Sequence, residues 1–530
     1  METSQVSPIF QSYIPQWLAK ILLFVLLIPN MILFFLPVAN TEVAAGYFGI
    51  EPNEVQFTIS LYYIGFVAFY SLERRFYSYF TYKRYFILFQ LVQLLGCIVL
   101  FNTTNLYIIY LIRFFQGMLF ASSVNLYLSM MALKIKTFRA KEVSYSLFFG
   151  MLLCTSSFNN LITADLIDQF NFNFLFQCVV LMYAINLLIV LATMKIKIEA
   201  RRIPLVQLDF ASFSLFSLFL GCLGYCGVFG QQFYWLQSSK LVTVMAIGII
   251  SLAIFIVRQF SLKRPYINLK VLSFPKFCIG ASLLFLMYIC RFSFSYSGQF
   301  FSIILGMDPR HVSYMYAINI LGIVLGVGYS CFHLIRKKVI FWVWISGFSS
   351  LFVYHFLMNQ QMYYYGNESQ YIIPMFLHGL GIGLIMVPTI LYSIGTVAYY
   401  LAPHAAAFLL FVRFFGYTMS GILVNFYSLY NTSRHKDRFM DYFQLSNPMY
   451  QNRMAVIQSK LLKNGYNQST VETVARSYVN KEMNKYILLR SVMDYYTLMM
   501  WISLGVIVFL IIYWLFQKKI KISIRPILPI

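Results

Sequence analysis

The stretch Leu106–Leu133, LYIIYLIRFFQGMLFASSVNLYLSMMAL, decides how the rest of the chain is read. It is apolar for long enough to cross the ~30 Å of hydrocarbon in a bilayer, yet it holds Arg113. A charge at that depth costs at least ~2.5–3.5 kcal/mol on insertion scales, so an intramembrane arginine marks a functional role by default. The plainer account is a side chain that snorkels or bonds the carbonyls of a neighbouring helix. Arg113 sits near the middle of the opening half of the span, where snorkelling is awkward.

The composition agrees with a membrane setting. Of 530 residues, 60% are hydrophobic, 19% aromatic and only 11% charged, whereas soluble domains carry roughly 25% charged residues. The mean hydropathy is +0.71. The chain is therefore read as an all-α polytopic membrane protein. Eight cysteines all fall in apolar segments, with no CxxC or Cys/His spacing, so neither a metal nor a cofactor is expected. Cys222 and Cys226 share a helical face and read as small packing residues. The first apolar run, Trp17–Ala39, is too long for a signal-peptide core and is expected to remain as a span.

Fourteen runs are long enough to cross: 17–39, 55–72, 85–102, 106–133, 143–167, 172–194, 208–229, 241–257, 276–305, 313–332, 339–358, 371–400, 405–430 and 495–516. Helices are the only reasonable element, because β-barrel strands alternate apolar and polar residues over about ten positions. The loops after even-numbered spans are basic, with Arg74, Arg75, Lys83, Arg84, Lys134, Lys136, Arg139 and Lys141 among them. Short loops after odd-numbered spans hold only Lys240 and Arg310. The positive-inside rule then places both termini in the cytoplasm. The excess of 40 basic over 17 acidic residues, a net charge of +23, is topology signal and attraction to the lipid bilayer rather than a nucleic-acid footprint.

One connection stands apart. Residues 431–494 are polar and expected on the outer face, with helical periodicity over 449–462 and 469–489. Asn464-Gly465-Tyr466-Asn467 reads as the break and Ser469 as an N-cap. A helical hairpin fits better than a structureless loop of that length.

No Walker A sequence, HExxH, GxSxG or paired-carboxylate motif is present, so no enzyme activity is expected. Gly379-Leu380-Gly381-Ile382-Gly383 lies mid-span with no strand before it, and reads as small residues for close helix packing, like Gly322 and Gly326. Short loops, many spans and a buried arginine suggest a secondary transporter.

Arg113-x-x-Gln116-Gly117 resembles the fourth-helix RxxQG signature of the major facilitator superfamily. Asp209, Gly230, Trp235 and Ser238-Ser239, the run Lys263-Arg264-Pro265, Leu305-Gly306-Met307-Asp308-Pro309, His404-Ala405-Ala406-Ala407 and Arg413-Phe414-Phe415-Gly416 are similar in order and spacing to its fourteen-helix drug:proton antiporter branch, the EmrB/QacA-like multidrug pumps. The resemblance covers nearly the whole chain. It implies a six-helix bundle over 1–200, two linker helices over 201–262 and a second bundle over 263–530, and efflux of small amphipathic compounds across the cell inner (cytoplasmic) membrane. In a double-membrane host it also implies a periplasmic adaptor and an outer-membrane channel, for which 431–494 is the candidate contact.

The departures are specific. The loop motif between helices two and three survives only as basic residues around Lys83 and Arg84. Asn159-Asn160-Leu161-Ile162-Thr163-Ala164 replaces the fifth-helix glycines, and Asn30–Ala39 lacks the family's first-helix acid. For proton coupling the sequence leaves His378, in the outer half of the twelfth span and of a type that titrates near neutral pH, with Asp165 and Asp168 as alternatives. Arg113 and Gln116 are expected to couple bundle movement to cavity opening, Gly117 to permit close helix approach, and Arg291, Arg413 and Gly416 to shape or charge the translocation path. Three buried cations without mid-span carboxylates point to an anionic or amphipathic cargo, because a cation meets repulsion in a dry cavity. The rival readings are a transporter-derived sensor or assembly scaffold and an importer of an organic anion.

Overall fold

The computed structural model describes residues 10–36, 41–80, 82–134, 139–169, 172–195, 208–337, 339–363, 365–444 and 446–519. Seventeen α-helices run in order: α1 (Gln16–Phe35), α2 (Thr41–Phe48), α3 (Pro52–Tyr79), α4 (Tyr82–Asn102), α5 (Leu106–Lys134), α6 (Ala140–Gln169), α7 (Phe174–Thr193), α8 (Phe210–Phe229), α9 (Ser239–Ser261), α10 (Pro275–Arg291), α11 (Phe294–Gln299), α12 (Pro309–Ile335), α13 (Ile340–Gln361), α14 (Ile372–Gly395), α15 (Ala402–Met440), α16 (Pro448–Lys463) and α17 (Gln468–Lys519). Several begin with proline in the first turn, at Pro52, Pro275, Pro309, Pro403 and Pro448. A proline there loses no helical hydrogen bond and arrives with its φ already set. α3 adds a capping box in which Glu51 and Glu54 exchange side-chain and backbone bonds.

Thirteen helices among the described residues are long and apolar enough to cross a membrane, making this a multi-pass membrane protein. The expected span at 143–167 falls on α6, a 30-residue helix outside those thirteen that packs along α5 and α12.

Two sets of helices repeat one packing scheme. In the first, α3 lies along α5 and α4 along α7; in the second, α12 lies along α14 and α13 along α17. Second meets fourth and third meets sixth in each bundle. The second-to-fourth contacts are closed by glycine. A Cβ on Gly117 would stand 1.9 Å from the Tyr62 carbonyl oxygen, and one on Gly379 would stand 2.1 Å from that of Asn319. Only backbone meets backbone there, the small-residue mode of membrane helix packing. The α8–α9 hairpin packs through α8 against α3 and α15. The start of α8 and the end of α9 are tied together by Arg258 and Asp209 at 2.8 Å.

Three helices differ from the boundaries read in the sequence. α1 stops at Phe35, short of Ala39. The run at 276–305 is not continuous: α10 ends at Arg291, α11 restarts at Phe294, and a π turn follows over Phe300–Ile304. The last span is the second half of α17, which runs unbroken for 52 residues. α17 begins at Gln468, so Ser469 lies inside its first turn rather than capping it. α16 and the first half of α17, with Phe443 just beyond α15, form a separate helical assembly around Met454, Leu461, Val471, Ala475 and Val479. Arg453 clamps Glu482 across it through two bonds of 2.6 and 3.2 Å.

Candidate functional site

Arg113 is 1% exposed and projects from α5 onto the end of α1. Its Nη1 donates to the Leu33 carbonyl at 3.0 Å and its Nη2 to Phe34 at 3.2 Å. Asn159 of α6 donates to Ile32 beside them at 2.9 Å. The last carbonyls of a helix lack intrahelical donors and carry its negative dipole end. A cation set on them needs no carboxylate. The guanidinium also lies 4.6 Å from the centre of the Tyr62 ring, a favourable cation–π contact.

Gln116 extends the same cluster: its side-chain oxygen accepts from Arg113 at 3.4 Å, and its carbonyl accepts from Gln93 at 3.0 Å. Pro29 lies inside α1, and the Leu26 carbonyl one turn before Asn30 takes side-chain donors from Asn30 and Asn186. The Tyr183 hydroxyl donates to Asn30 Oδ1 at 2.9 Å. Where the resembled family has a first-helix acid, this chain has an amide and tyrosine network.

The second bundle repeats the arrangement with different residues. His378, on its fourth helix, is 1% exposed and bonds the interrupted first helix through Nε2, 3.2 Å from the Arg291 carbonyl. Asn319 Nδ2 lies 2.9 Å from His378 Nδ1 and also donates to Met375 at 3.0 Å. An amide nitrogen only donates, so Nδ1 accepts and the hydrogen sits on Nε2. Asn319 Oδ1 in turn accepts from Ser157 of α6 at 3.2 Å. One chain of polar groups thus runs from the first bundle through α12 and α14 to the α10–α11 break. The imidazole stacks on Phe294 at 4.7 Å.

Arg413 of α15 is 4% exposed; its Nε donates to the Tyr288 hydroxyl at 2.9 Å. Arg291, at the end of α10, lies 5.8 Å from the same ring. Gly416 brings α15 onto α10, since a Cβ there would stand 2.9 Å from Tyr288 Cβ. Arg413 borders a cavity of about 40 Å³ between the bundles, walled by Phe66, Tyr145 and Phe149 on one side and by Ile390 and Leu409 on the other. That is room for about three water molecules.

The structure therefore gathers the residues singled out in the sequence into two places. Arg113, Gln116 and Gly117 lie at the end of α1 in the first bundle. Arg291, Arg413, Gly416 and His378 gather around α10 in the second. Asp165 and Asp168 lie in the last turns of α6, and their side chains are outside the described residues. Sequence reading missed the partners: Tyr62, Tyr183, Tyr288 and Asn319 look like any other membrane-helix residue until the helices are placed. Lys83, read only as a basic loop residue, caps α7 by donating to Leu191 and Met194 at 2.8 Å each. Glu73 is fully buried and accepts from Asn125 at 2.7 Å.

No family model matches the chain, and no curated protein does. Solved structures do. A nucleoside transporter, NupG, aligns over 90% of this chain and 99% of its own with a TM-score of 0.51 and 11% identity. A POT peptide transporter crystallised with sulfate aligns over 79% and 90% with a TM-score of 0.53 and 12% identity. At these identities the likeness is one of fold. The chain has the major facilitator fold.

Proposed function

We propose that this chain is a secondary active transporter, moving small amphipathic molecules across the cytoplasmic membrane by alternating access. The observation that carries this reading is the cavity at Arg413: it lies between the two bundles and draws its walls from both. A site at a repeat interface, beside an interrupted helix, is where a rocking pair of bundles exposes cargo first to one face and then to the other. At about 40 Å³ it has room for a few waters only, whereas drug-sized ligands occupy pockets of roughly 300–1,000 Å³. Transport then requires the bundles to part around it.

In this reading fourteen spans carry both termini on the cytoplasmic side. Residues 1–200 and 263–530 are the moving bodies, and 201–262 ride between them. Arg113 and Gln116 hold α1 to α5 as one piece of the moving bundle; Gly117 and Gly416 keep the close contacts about which helices slide. His378 is the proton-coupling group, with Asp165 and Asp168 as alternatives. The direction is export, as the resemblance to the fourteen-helix antiporters implies, and the assembly at 431–494 is the contact for a periplasmic adaptor and outer-membrane channel in a host that has them. Two neighbours of the same fold are themselves named as transporters, which supports the class.

Reconstituted vesicles test it. Solute movement driven by an imposed pH gradient, abolished by Arg113→Ala in protein that still folds, is the expected result. A folded wild-type chain that moves no amphipathic solute under any gradient, in either orientation, makes the chain a membrane sensor or scaffold instead.

A further inference from the structure

The three intramembrane arginines are not equivalent. Arg113 is occupied by the terminal carbonyls of α1. Three of the last four carbonyls of α10 take other side-chain donors: Tyr288 from Ser420, Cys290 from Ser293 and Arg291 from His378. The Arg291 and Arg413 guanidinium carbons lie 5.8 and 5.9 Å from the centre of one ring, Tyr288. Among the described residues, no carboxylate pairs with either one, and the only hydrogen bond that either guanidinium makes is from Arg413 Nε to Tyr288. Phe149, 5.3 Å from Arg413, and Tyr288 offer ring faces that soften but do not cancel two like charges. The place holds two positive charges and, among the described residues, no negative one paired with them.

We propose that Arg291 and Arg413 form a binding subsite for the acidic head of the cargo: a carboxylate, sulfonate or phosphate monoester on an aromatic or aliphatic body. The head bridges the two guanidiniums beside the Tyr288 hydroxyl. The body lies along Phe149 and Phe66 in the cavity that opens when the bundles separate. Planar guanidinium forks match such oxyanions in a way that a lysine does not. This rests on the reading of the inter-bundle cavity as the cargo path.

The test is calorimetric binding to the purified full-length protein of three matched probes: 2-naphthoate, 2-naphthamide and 2-naphthylmethylammonium. The acid is expected to bind at least about tenfold more tightly than the other two. Arg291→Gln and Arg413→Gln are each expected to weaken the acid by about tenfold and leave the amide within about twofold, with Arg413→Lys between wild type and Gln. Equal binding of all three probes to wild type, no binding of the acid, or equal weakening of all three in the variants overturns the subsite. Should the glutamine variants not fold, the wild-type comparison and Arg413→Lys decide. Vesicles that transport neutral or cationic solutes while the acid fails to bind leave the transporter reading standing without this subsite. Selective acid binding without transport under any gradient does the reverse.

Discussion

The Arg113 guanidinium and the Leu33 carbonyl, 3.0 Å apart, fasten the fourth long helix to the end of the first. Arg113→Ala removes the donor from two buried carbonyls at once. Each unsatisfied group costs ~1–3 kcal/mol, so the variant is expected to lose ~2–6 kcal/mol in detergent unfolding. Arg113→Lys supplies charge to the same helix end but a single donor point, and should recover about half of that loss while remaining inactive in transport. A lysine variant with full activity removes the case for a two-carbonyl clamp.

Gly117→Ala puts a methyl 1.9 Å from the Tyr62 oxygen, so α3 and α5 must separate. Over-packing of this kind costs ~1–3 kcal/mol or more. Gly221, with nothing within 4 Å, is the control. Its alanine variant should stay within ~0.5 kcal/mol of wild type. Thermal unfolding of the two proteins side by side separates the steric effect from any general intolerance.

His378 is satisfied as a neutral ring, and a second proton on Nδ1 would face the Asn319 nitrogen. Asn319 would then have to turn its oxygen inward, abandon Met375 and reverse its bond with Ser157. Because Ser157 belongs to the opposite bundle, protonation should loosen an inter-bundle contact. His378→Ala is expected to leave downhill solute movement intact and remove its dependence on an imposed pH gradient; Asn319→Leu should do the same. Dependence that survives both redirects coupling to Asp165 and Asp168.

Asp209 caps α8 through the Ser212 amide and accepts from Arg258. Burial alone would raise its pKa; the Ser212 and Arg258 bonds outweigh it and hold the carboxyl below the usual aspartate range. A carboxyl depressed in the folded state contributes above its unfolded pKa, about 3.9, and the contribution vanishes as pH falls through the folded value. Asp209→Asn keeps a capping oxygen and loses only the charge, so its deficit at pH 7 should disappear in acid. Asp209→Ala also loses the cap, at a further cost of ~1 kcal/mol. Melting temperatures at pH 7 and near pH 3 distinguish the two terms.

Ala475 is fully buried among Met454, Leu461 and Val471. Ala475→Asp should collapse that small core and expose the connection at 440–467 to protease, while the spans stay resistant. Limited proteolysis followed by mass measurement reads this directly.

Much of this was legible in the residues. The 28-residue run at 106–133 became α5 nearly to the residue, and the periodicity at 449–462 became α16, because apolar spacing and flanking breakers set both. The α10–α11 break was not legible. Phe292 and Phe294 are as apolar as their neighbours, and no proline or glycine lies between Arg291 and Ser297 to announce it. The continuity of α17 was missed for the opposite reason. The change from polar to apolar near Asp494 reads as an end, yet Gly505 is the only glycine and no proline occurs from Gln468 to Lys519. Carbonyls of a neighbouring helix were legible as one set of partners for Arg113, and α1 supplies them; which helix it would be depends on packing, which no side-chain pattern records.

The unbroken α17 has a mechanical consequence. At ~1.5 Å per residue its 52 residues make a rod of about 78 Å, more than twice the hydrocarbon thickness. One end is clamped to α16 through Arg453 and Glu482, and the other is packed beside α13. A five-degree tilt of such a lever displaces one end against the other by about 7 Å. Any force applied to the polar helices is thus delivered, without a joint to absorb it, to the far leaflet.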